Sequence, residues 1–292
     1  MTGTLPGRSA TAAFASSIET PSGKDVAYEN FPVGSWLLPA ALRPHIAIFY
    51  AFARAADDIA DSPDLAPEDK VARLDAFEAA VCGRAGDEPH LATARRMRES
   101  LATTRVEVRH CVDLLTAFRQ DATKLRYRDW DDLIGYCLLS AAPVGRYLLD
   151  LHGGSRAGYA ASDALCMGLQ VINHLQDCRD DYRQLDRIYL PQDWMHQAGA
   201  RVEDLDATTS SPALRQVIDL TLDGTERLLA TARALPAGLI SRRLAMESGA
   251  ILAIADRLVD KLRRGDPLGP RIELGKSRFL WCCLRGAIAG LA

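Results

Sequence analysis

Residues 50–61 read YAFARAADDIAD, and this stretch decides the fold class. Four polar residues in it follow one another at spacings of four, three and four positions: Tyr50, Arg54, Asp57 and Asp61. These spacings place the four side chains on one face of an α-helix. The remaining positions are mostly alanine, phenylalanine and isoleucine, so the helix is too apolar to be a solvated surface element. This first polar stripe therefore predicts a helix whose polar row faces a hydrated space inside the protein.

Residues 170–181 repeat the pattern in the sequence QVINHLQDCRDD. A second polar stripe follows here at spacings of three, four and four positions: Gln170, Asn173, Asp177 and Asp181. Leu169, Ile172 and Leu175 supply an apolar face on the same predicted helix. Like the first stripe, the second ends in two carboxylates one helical turn apart.

The paired carboxylates indicate a metal site. Two aspartates at positions i and i+4 repel each other unless a cation lies between them. Oxygen ligands without histidine or cysteine suit Mg²⁺, which is typically shared with the phosphates of a substrate. A single DDxxD motif is weak evidence, but its duplication on two apolar helices is much stronger. We therefore predict that Asp57, Asp61, Asp177 and Asp181 bind Mg²⁺ and that Arg54 clamps a diphosphate.

The rest of the chain favours helix as well, because it is rich in alanine, leucine and arginine and has no alternating strand pattern. The sequence predicts one all-α domain over residues 27–292, preceded by a mobile tail over residues 1–26. Residues 183–209 are expected to be irregular. The predicted helices are 40–61, 67–82, 89–103, 107–123, 130–150, 156–182, 210–234, 238–264 and 273–290.

Composition excludes several classes of protein. The 292 residues are 48% hydrophobic and 25% charged, with a net charge of −3, which is typical of a soluble globular protein and not of a nucleic-acid binder. The seven cysteines form no CxxC pair and are expected to be reduced thiols in a cytoplasmic protein. No apolar run is long enough to span a bilayer. The chain also lacks a GxGxxG unit, so bound NADPH is not expected.

At its two stripes the sequence resembles the squalene/phytoene synthase family. The family motif YxxxRxxDDxxD is present at residues 50–61, and QxxNxxxDxx[ED]D followed by RIYLP is present at residues 170–181 and 187–191. The GYC segment of the family is matched at residues 135–137. The likeness spans roughly residues 28–285, and it implies an isoprenoid-synthase-type helical bundle around a central cavity.

The resemblance also implies roles for particular residues. The substrate would be a prenyl diphosphate. Four basic residues would contact its diphosphate: Arg54, Arg187, Arg271 and Lys276. Tyr136 and Phe31 would face a carbocation, while Gln170 and Asn173 would position water or a metal-bound water. The predicted catalytic set is Tyr50, Arg54, Tyr136, Gln170 and Asn173.

Several departures from the family pattern, including ENFPVGSWLLP at residues 29–39, resemble the branch that acts in bacterial hopanoid pathways. That branch converts presqualene diphosphate into hydroxysqualene and diphosphate. The expected partners are therefore this substrate, with farnesyl diphosphate as an alternative, and neighbouring enzymes of the pathway. Synthases of presqualene diphosphate, squalene or phytoene remain alternatives within the family.

Other interpretations stay open outside the stripes. Glu107-x-x-His110 is one half of a di-iron carboxylate motif, and a helical subunit that binds prenyl diphosphate without turnover is a non-enzymatic alternative. His174 lies off the second stripe and is predicted to be a packed histidine. Residues 279–284 either rest on a membrane surface, which would place the enzyme on the inner membrane face, or cap the core.

Overall fold

The all-α prediction is confirmed. The computed structural model describes residues 38–86 and 88–290; the predicted tail over residues 1–26 and the predicted substrate contact Phe31 lie outside this part. The helices are α1 (Arg43–Asp61), α2 (Pro67–Val81), α3 (Ala92–Thr104), α4 (Arg109–Asp121), α5 (Trp130–Ser140), α6 (Ala142–Leu151), α7 (Tyr159–Leu185), α8 (Gln192–Ala198), α9 (Pro212–Ala232), α10 (Arg242–Arg264) and α11 (Lys276–Ala289).

The predicted helix over residues 130–150 is wrong in one respect, because it is two helices. The helix α5 ends at Ser140 and α6 begins at Ala142, with Pro143 in the first turn of α6. Proline has no backbone N–H and its ring clashes with the preceding turn, so a continuous helix through this position is unfavourable. The break lets α5 and α6 both pack against α7.

The interval predicted to be irregular, residues 183–209, also contains regular structure. A strand β2 (Ile188–Pro191) pairs in parallel with β1 (Arg126–Tyr127), and α8 follows it directly. All four residues of β2 are buried. Strands this short show no alternation that a sequence pattern could reveal.

The first helix is anchored by its apolar face. Phe49 stacks on Tyr147 of α6 with ring centroids 4.0 Å apart, and Phe52 lies 5.7 Å from Phe77 of α2. These rings are almost completely buried. Because one face of α1 is fixed in the core, its polar stripe is held at a defined rotation.

The seven cysteines are all free thiols within the described residues, as predicted. Four of them are buried and three are half-buried. None of the helices in residues 38–86 and 88–290 has the length and apolar run needed to cross a membrane.

The last helix packs on α10 through glycine. A Cβ atom built on Gly286 would lie 2.2 Å from the carbonyl oxygen of Gly249, and one built on Gly249 would lie 2.3 Å from the carbonyl oxygen of Gly286. Such distances are far inside van der Waals contact, so the two backbones touch where no side chain fits. Further along, Gly290 meets the carbonyl oxygen of Ala245 in the same way, which shows that the two helices run antiparallel.

We expect Gly286→Ala to lower the free energy of unfolding by about 1–3 kcal/mol, because the new methyl group must push the two helices apart. Gly135→Ala is the matched control. Gly135 lies inside α5 with no atom within 4 Å of an added Cβ, so this change should be neutral or stabilise by about 0.5–1 kcal/mol. Urea unfolding of both variants measures the difference. Equal stabilities would contradict the close approach of α10 and α11.

Candidate active site

The structure places the first polar stripe on α1 as predicted. Its four members are half-buried: Tyr50, Arg54, Asp57 and Asp61. Arg54 donates from Nη1 to Asp57 Oδ2 at 3.1 Å. Half-buried polar side chains with buried residues on either side are typical of the wall of a cleft. A solvated helix face would instead leave these four side chains fully exposed.

The second polar stripe lies on α7, a helix of 27 residues. Its members are half-buried as well: Gln170, Asn173, Asp177 and Asp181. Asp180, which is off the stripe, is exposed. The orientation of α7 about its own axis therefore keeps Asp177 and Asp181 half-buried and leaves Asp180 in solvent, as the spacing predicted.

Arg187 joins the end of α7 to the end of α1. The helix α7 stops at Asp186, whose positive φ of 51° turns the chain into β2. Arg187 then donates from Nη1 to Asp61 Oδ1 at 2.6 Å and from Nη2 to the carbonyl oxygen of Ala60 at 3.2 Å. A predicted diphosphate contact and a predicted metal ligand thus form a partly buried ion pair between residues that are 126 positions apart in the sequence.

The Arg187 guanidinium stays charged despite its burial. Burial by itself would lower the pKa of Arg187, but interactions with Tyr189, Asp121 and Asp61 outweigh it and raise that pKa above its ordinary value. Lys70 of α2 is also close to this pair. Its pKa is lowered by partial burial and by the charge of Arg187, against the opposing influence of Asp61.

The segment of residues 268–272, which precedes α11, brings another cation to the second stripe. Arg271 donates from Nη1 to Asp177 Oδ1. The segment is held on α7 by two further bonds, from Gln176 to the carbonyl oxygen of Ile272 and from Arg179 to the carbonyl oxygen of Leu268. Lys276 starts α11 and is exposed, so its predicted contact with diphosphate stays a prediction.

The donor set fits Mg²⁺ shared with a substrate. In residues 38–86 and 88–290 no three carboxylate, histidine or cysteine side chains form a group that could hold a metal ion by themselves. Magnesium commonly takes only one or two carboxylates and completes its shell with water and phosphate oxygens. The Oδ1 atom of Asp58, within the first motif, is buried without a hydrogen-bond partner, which also fits a polar group awaiting a ligand.

A buried aromatic cluster lies behind Arg187. Tyr136 donates its hydroxyl to Asp121 Oδ2 at 2.9 Å, and Tyr189 donates to Asp121 Oδ1 at 3.3 Å. Burial raises the pKa of Asp121 to about 6, and the charge of Arg187 opposes that rise. Because the hydroxyl of Tyr136 is engaged in the core, its role toward a carbocation stays a prediction. Sequence reasoning missed Asp121, since this single aspartate near the end of α4 belongs to no pattern.

His174 is a packed histidine, as predicted. It is buried, stacks on Tyr189 with ring centroids 3.6 Å apart, and lies with its Nε2 3.2 Å from the amide nitrogen of Gln170. Burial, together with the charge of Arg187, lowers the pKa of His174 to about 3. The imidazole is therefore neutral at physiological pH.

The di-iron alternative finds no support in the surroundings of His110. Its Nε2 atom pairs with Asp150 Oδ2 at 2.8 Å, and Tyr159 donates to the same carboxylate. This buried contact joins α4 to α6 and leaves the histidine in a structural position. Within the described residues no histidine and carboxylate group suited to a metal accompanies it.

The arrangement and the sequence together identify the family. Residues 25–278 match the family described as squalene/phytoene synthase, and the chain belongs to that family of enzymes. The chain is 48% identical to a hydroxysqualene synthase from Rhodopseudomonas palustris, over 91% of this chain and 90% of the relative. It is 44% identical to a hydroxysqualene synthase from Sinorhizobium fredii, over 86% of this chain and 85% of the relative.

Solved structures agree with the fold. The crystal structure of squalene synthase HpnC from Alicyclobacillus acidocaldarius superposes with a TM-score of 0.70 at 33% identity, covering 81% of this chain and 89% of that one. A dehydrosqualene synthase superposes with a TM-score of 0.76 over 90% of this chain and 92% of that one. At 19% identity the second likeness concerns the fold alone.

The buried neutral state of His174 predicts a pH dependence of stability. Because the pKa of His174 is lower in the folded chain, the unfolded chain binds a proton at a pH where the folded chain does not. The free energy of unfolding therefore falls as the pH drops below the unfolded pKa of about 6.5. Between pH 8 and pH 5 the wild type should lose about 2 kcal/mol more than His174→Gln does. Urea unfolding across this pH range measures the loss. Parallel stability curves for the two proteins would contradict the buried neutral imidazole.

Proposed function

We propose that this chain is a magnesium-dependent hydroxysqualene synthase that converts presqualene diphosphate and water into hydroxysqualene and diphosphate. The carrying observation is the convergence of cations and carboxylates at the two stripes, with Arg187 on Asp61, Arg54 on Asp57 and Arg271 on Asp177. Relatives named hydroxysqualene synthase, at 41–48% identity over most of the chain, support this choice within the family.

The chemical task is to break the carbon–oxygen bond between the cyclopropylcarbinyl carbon and the diphosphate. Bound Mg²⁺ would supply positive charge to the departing diphosphate. Asp57 and Asp61 would hold it on one side, and Asp177 and Asp181 on the other. Arg54, Arg187, Arg271 and Lys276 would bind the diphosphate oxygens on which negative charge develops.

The remaining cation has to rearrange before water reaches it. After the ring opens, the oxygen of a water molecule bonds to the allylic carbon and one proton leaves, so the organic product is an alcohol. Asn173 and Gln170 lie one and two turns before Asp177 on α7, and they would orient that water. Tyr50 lies one turn before Arg54 on α1, on the same face of the helix as the rest of the first polar stripe.

Replacing single stripe carboxylates should stop turnover with little effect on folding. Asp57→Asn and Asp177→Asn each remove one charge from the proposed magnesium ligands, and we expect turnover to fall by roughly 100-fold or more. Asp64→Asn is the matched control, because Asp64 is exposed three residues beyond the first stripe. Initial rates with saturating Mg²⁺ test the difference, and chelation of Mg²⁺ should abolish turnover by the wild type. Normal rates in either stripe variant would overturn the proposed metal site.

The product identifies the enzyme within its family. Purified protein given presqualene diphosphate and Mg²⁺, without NADPH, should release hydroxysqualene that carries heavy oxygen from labelled water. Mass spectrometry of the extracted lipid measures both outcomes. Formation of squalene on adding NADPH, or condensation of farnesyl diphosphate into presqualene diphosphate or phytoene, would instead assign the chain to another synthase of the family.

A further inference from the structure

The outward face of α11 exposes large apolar side chains. Leu280, Trp281, Leu284 and Ile288 are 69, 61, 56 and 64% exposed. Cys282, Gly286 and Ala287 of the same helix are buried, and α11 packs along α10 on that side. Single exposed apolar residues are ordinary, but four on one face of a 14-residue helix form a patch that is typical of an interaction site. We call these four residues the α11 face.

Cations border the α11 face on both sides. At 100° per residue, Lys276 lies beside Leu280 at one edge, while Arg278 and Arg285 lie beyond Trp281 at the other. All three are exposed, and residues 276–289 contain no aspartate or glutamate. An apolar stripe flanked by basic residues is the pattern of a helix that lies in the interface of a membrane.

A basic groove continues this surface at the first turn of α11. It has a volume of about 350 Å³, and its lining includes Arg257, Lys261, Arg264 and Arg278. Asp260 is the carboxylate in the lining and pairs with Arg257 and Arg264. The groove therefore presents a net positive charge next to the apolar face, although the whole chain has a net charge of −3.

We propose that the α11 face and the basic groove form a docking surface for a lipid bilayer with anionic headgroups. Apolar side chains would enter the acyl boundary while Arg278 and Arg285 contact the headgroups. A second copy of this chain suits the surface less well. An antiparallel pairing of two α11 helices would bring Lys276 and Arg278 of one copy toward Arg285 of the other, and like charges would repel.

The surface is connected to the candidate active site. Arg271, which pairs with Asp177, lies five residues before the start of α11, and Ile272 lines the basic groove. Docking through α11 would therefore hold the second stripe near the lipid surface. The docking proposal itself does not depend on which prenyl diphosphate the enzyme uses.

Vesicle binding by the full-length protein tests the proposal. Flotation with phosphatidylcholine vesicles, with and without phosphatidylglycerol, should show binding that requires the anionic lipid and weakens with salt. The tryptophan emission, to which Trp281 contributes together with the other three tryptophans, should shift to the blue on binding. The double variant Trp281→Ser/Leu284→Ser should bind at least about tenfold more weakly. Arg278→Gln and Arg285→Gln should each weaken binding to anionic vesicles about fivefold.

Matched controls separate docking from folding. Leu138→Ser replaces an exposed leucine on α5, and Arg96→Gln replaces an exposed arginine on α3, so both should bind vesicles like the wild type. Because the altered α11 side chains are exposed, circular dichroism melting should be unchanged in every variant. Turnover of detergent-dispersed substrate should also be unchanged, so a failure of docking is distinguishable from a failure of the proposed function.

Three outcomes would overturn the proposal. The first is equal vesicle binding by the wild type and the α11 variants. The second is a wild-type dimer without vesicle affinity that becomes monomeric in Trp281→Ser/Leu284→Ser, which would assign the face to a second copy. The third is vesicle binding that appears only after removal of residues 1–26, which would assign the face to the chain's own N-terminal segment.

Discussion

The balance of charge between two rows of carboxylates is the constraint on which the site depends. Aspartates one turn apart on an apolar helix are unfavourable unless cations stand beside them. The chain meets this need with arginines from three different places: Arg54 on α1 itself, Arg187 after α7 and Arg271 before α11. The pair between Arg187 and Asp61 matters most for the architecture, since it connects the ends of the two stripe-bearing segments.

Behind that pair, the fold places groups whose ionisation is controlled by burial. Asp121 accepts hydrogen bonds from Tyr136 and Tyr189, and its pKa rises to about 6 because it is buried. His174 remains neutral for the same reason. Arg187 therefore lies next to polar groups that are largely shielded from water. In such surroundings its ion pair with Asp61 is stronger than it would be in water.

The stripes could be predicted from sequence because their signal is local. A helical period of 3.6 residues makes the face of Asp57 and Asp61 visible within a dozen positions, and the same holds for Asp177 and Asp181. The partners of these carboxylates carry no such signal. Nothing in the spacing of residues relates Arg187 to Asp61 or Tyr136 to Asp121, since these contacts exist only after the chain has folded. The two-residue strand β1 was missed for a related reason, because a pairing so short leaves no periodicity in either segment.

The ion pairs of the stripes also have a consequence for how the proposed site would bind its ligands. Guanidinium groups already contact Asp57, Asp61 and Asp177, so the resting protein neutralises its own acidic rows. If the proposed magnesium ion and diphosphate bind here, these arginines would have to pass from carboxylate to phosphate while the carboxylates turn to the metal. Neither component alone would offer both halves of that exchange. Under the proposed function, joint binding of metal and diphosphate would therefore be favoured over stepwise binding, and the resting ion pairs would disfavour binding of other cations to the aspartates.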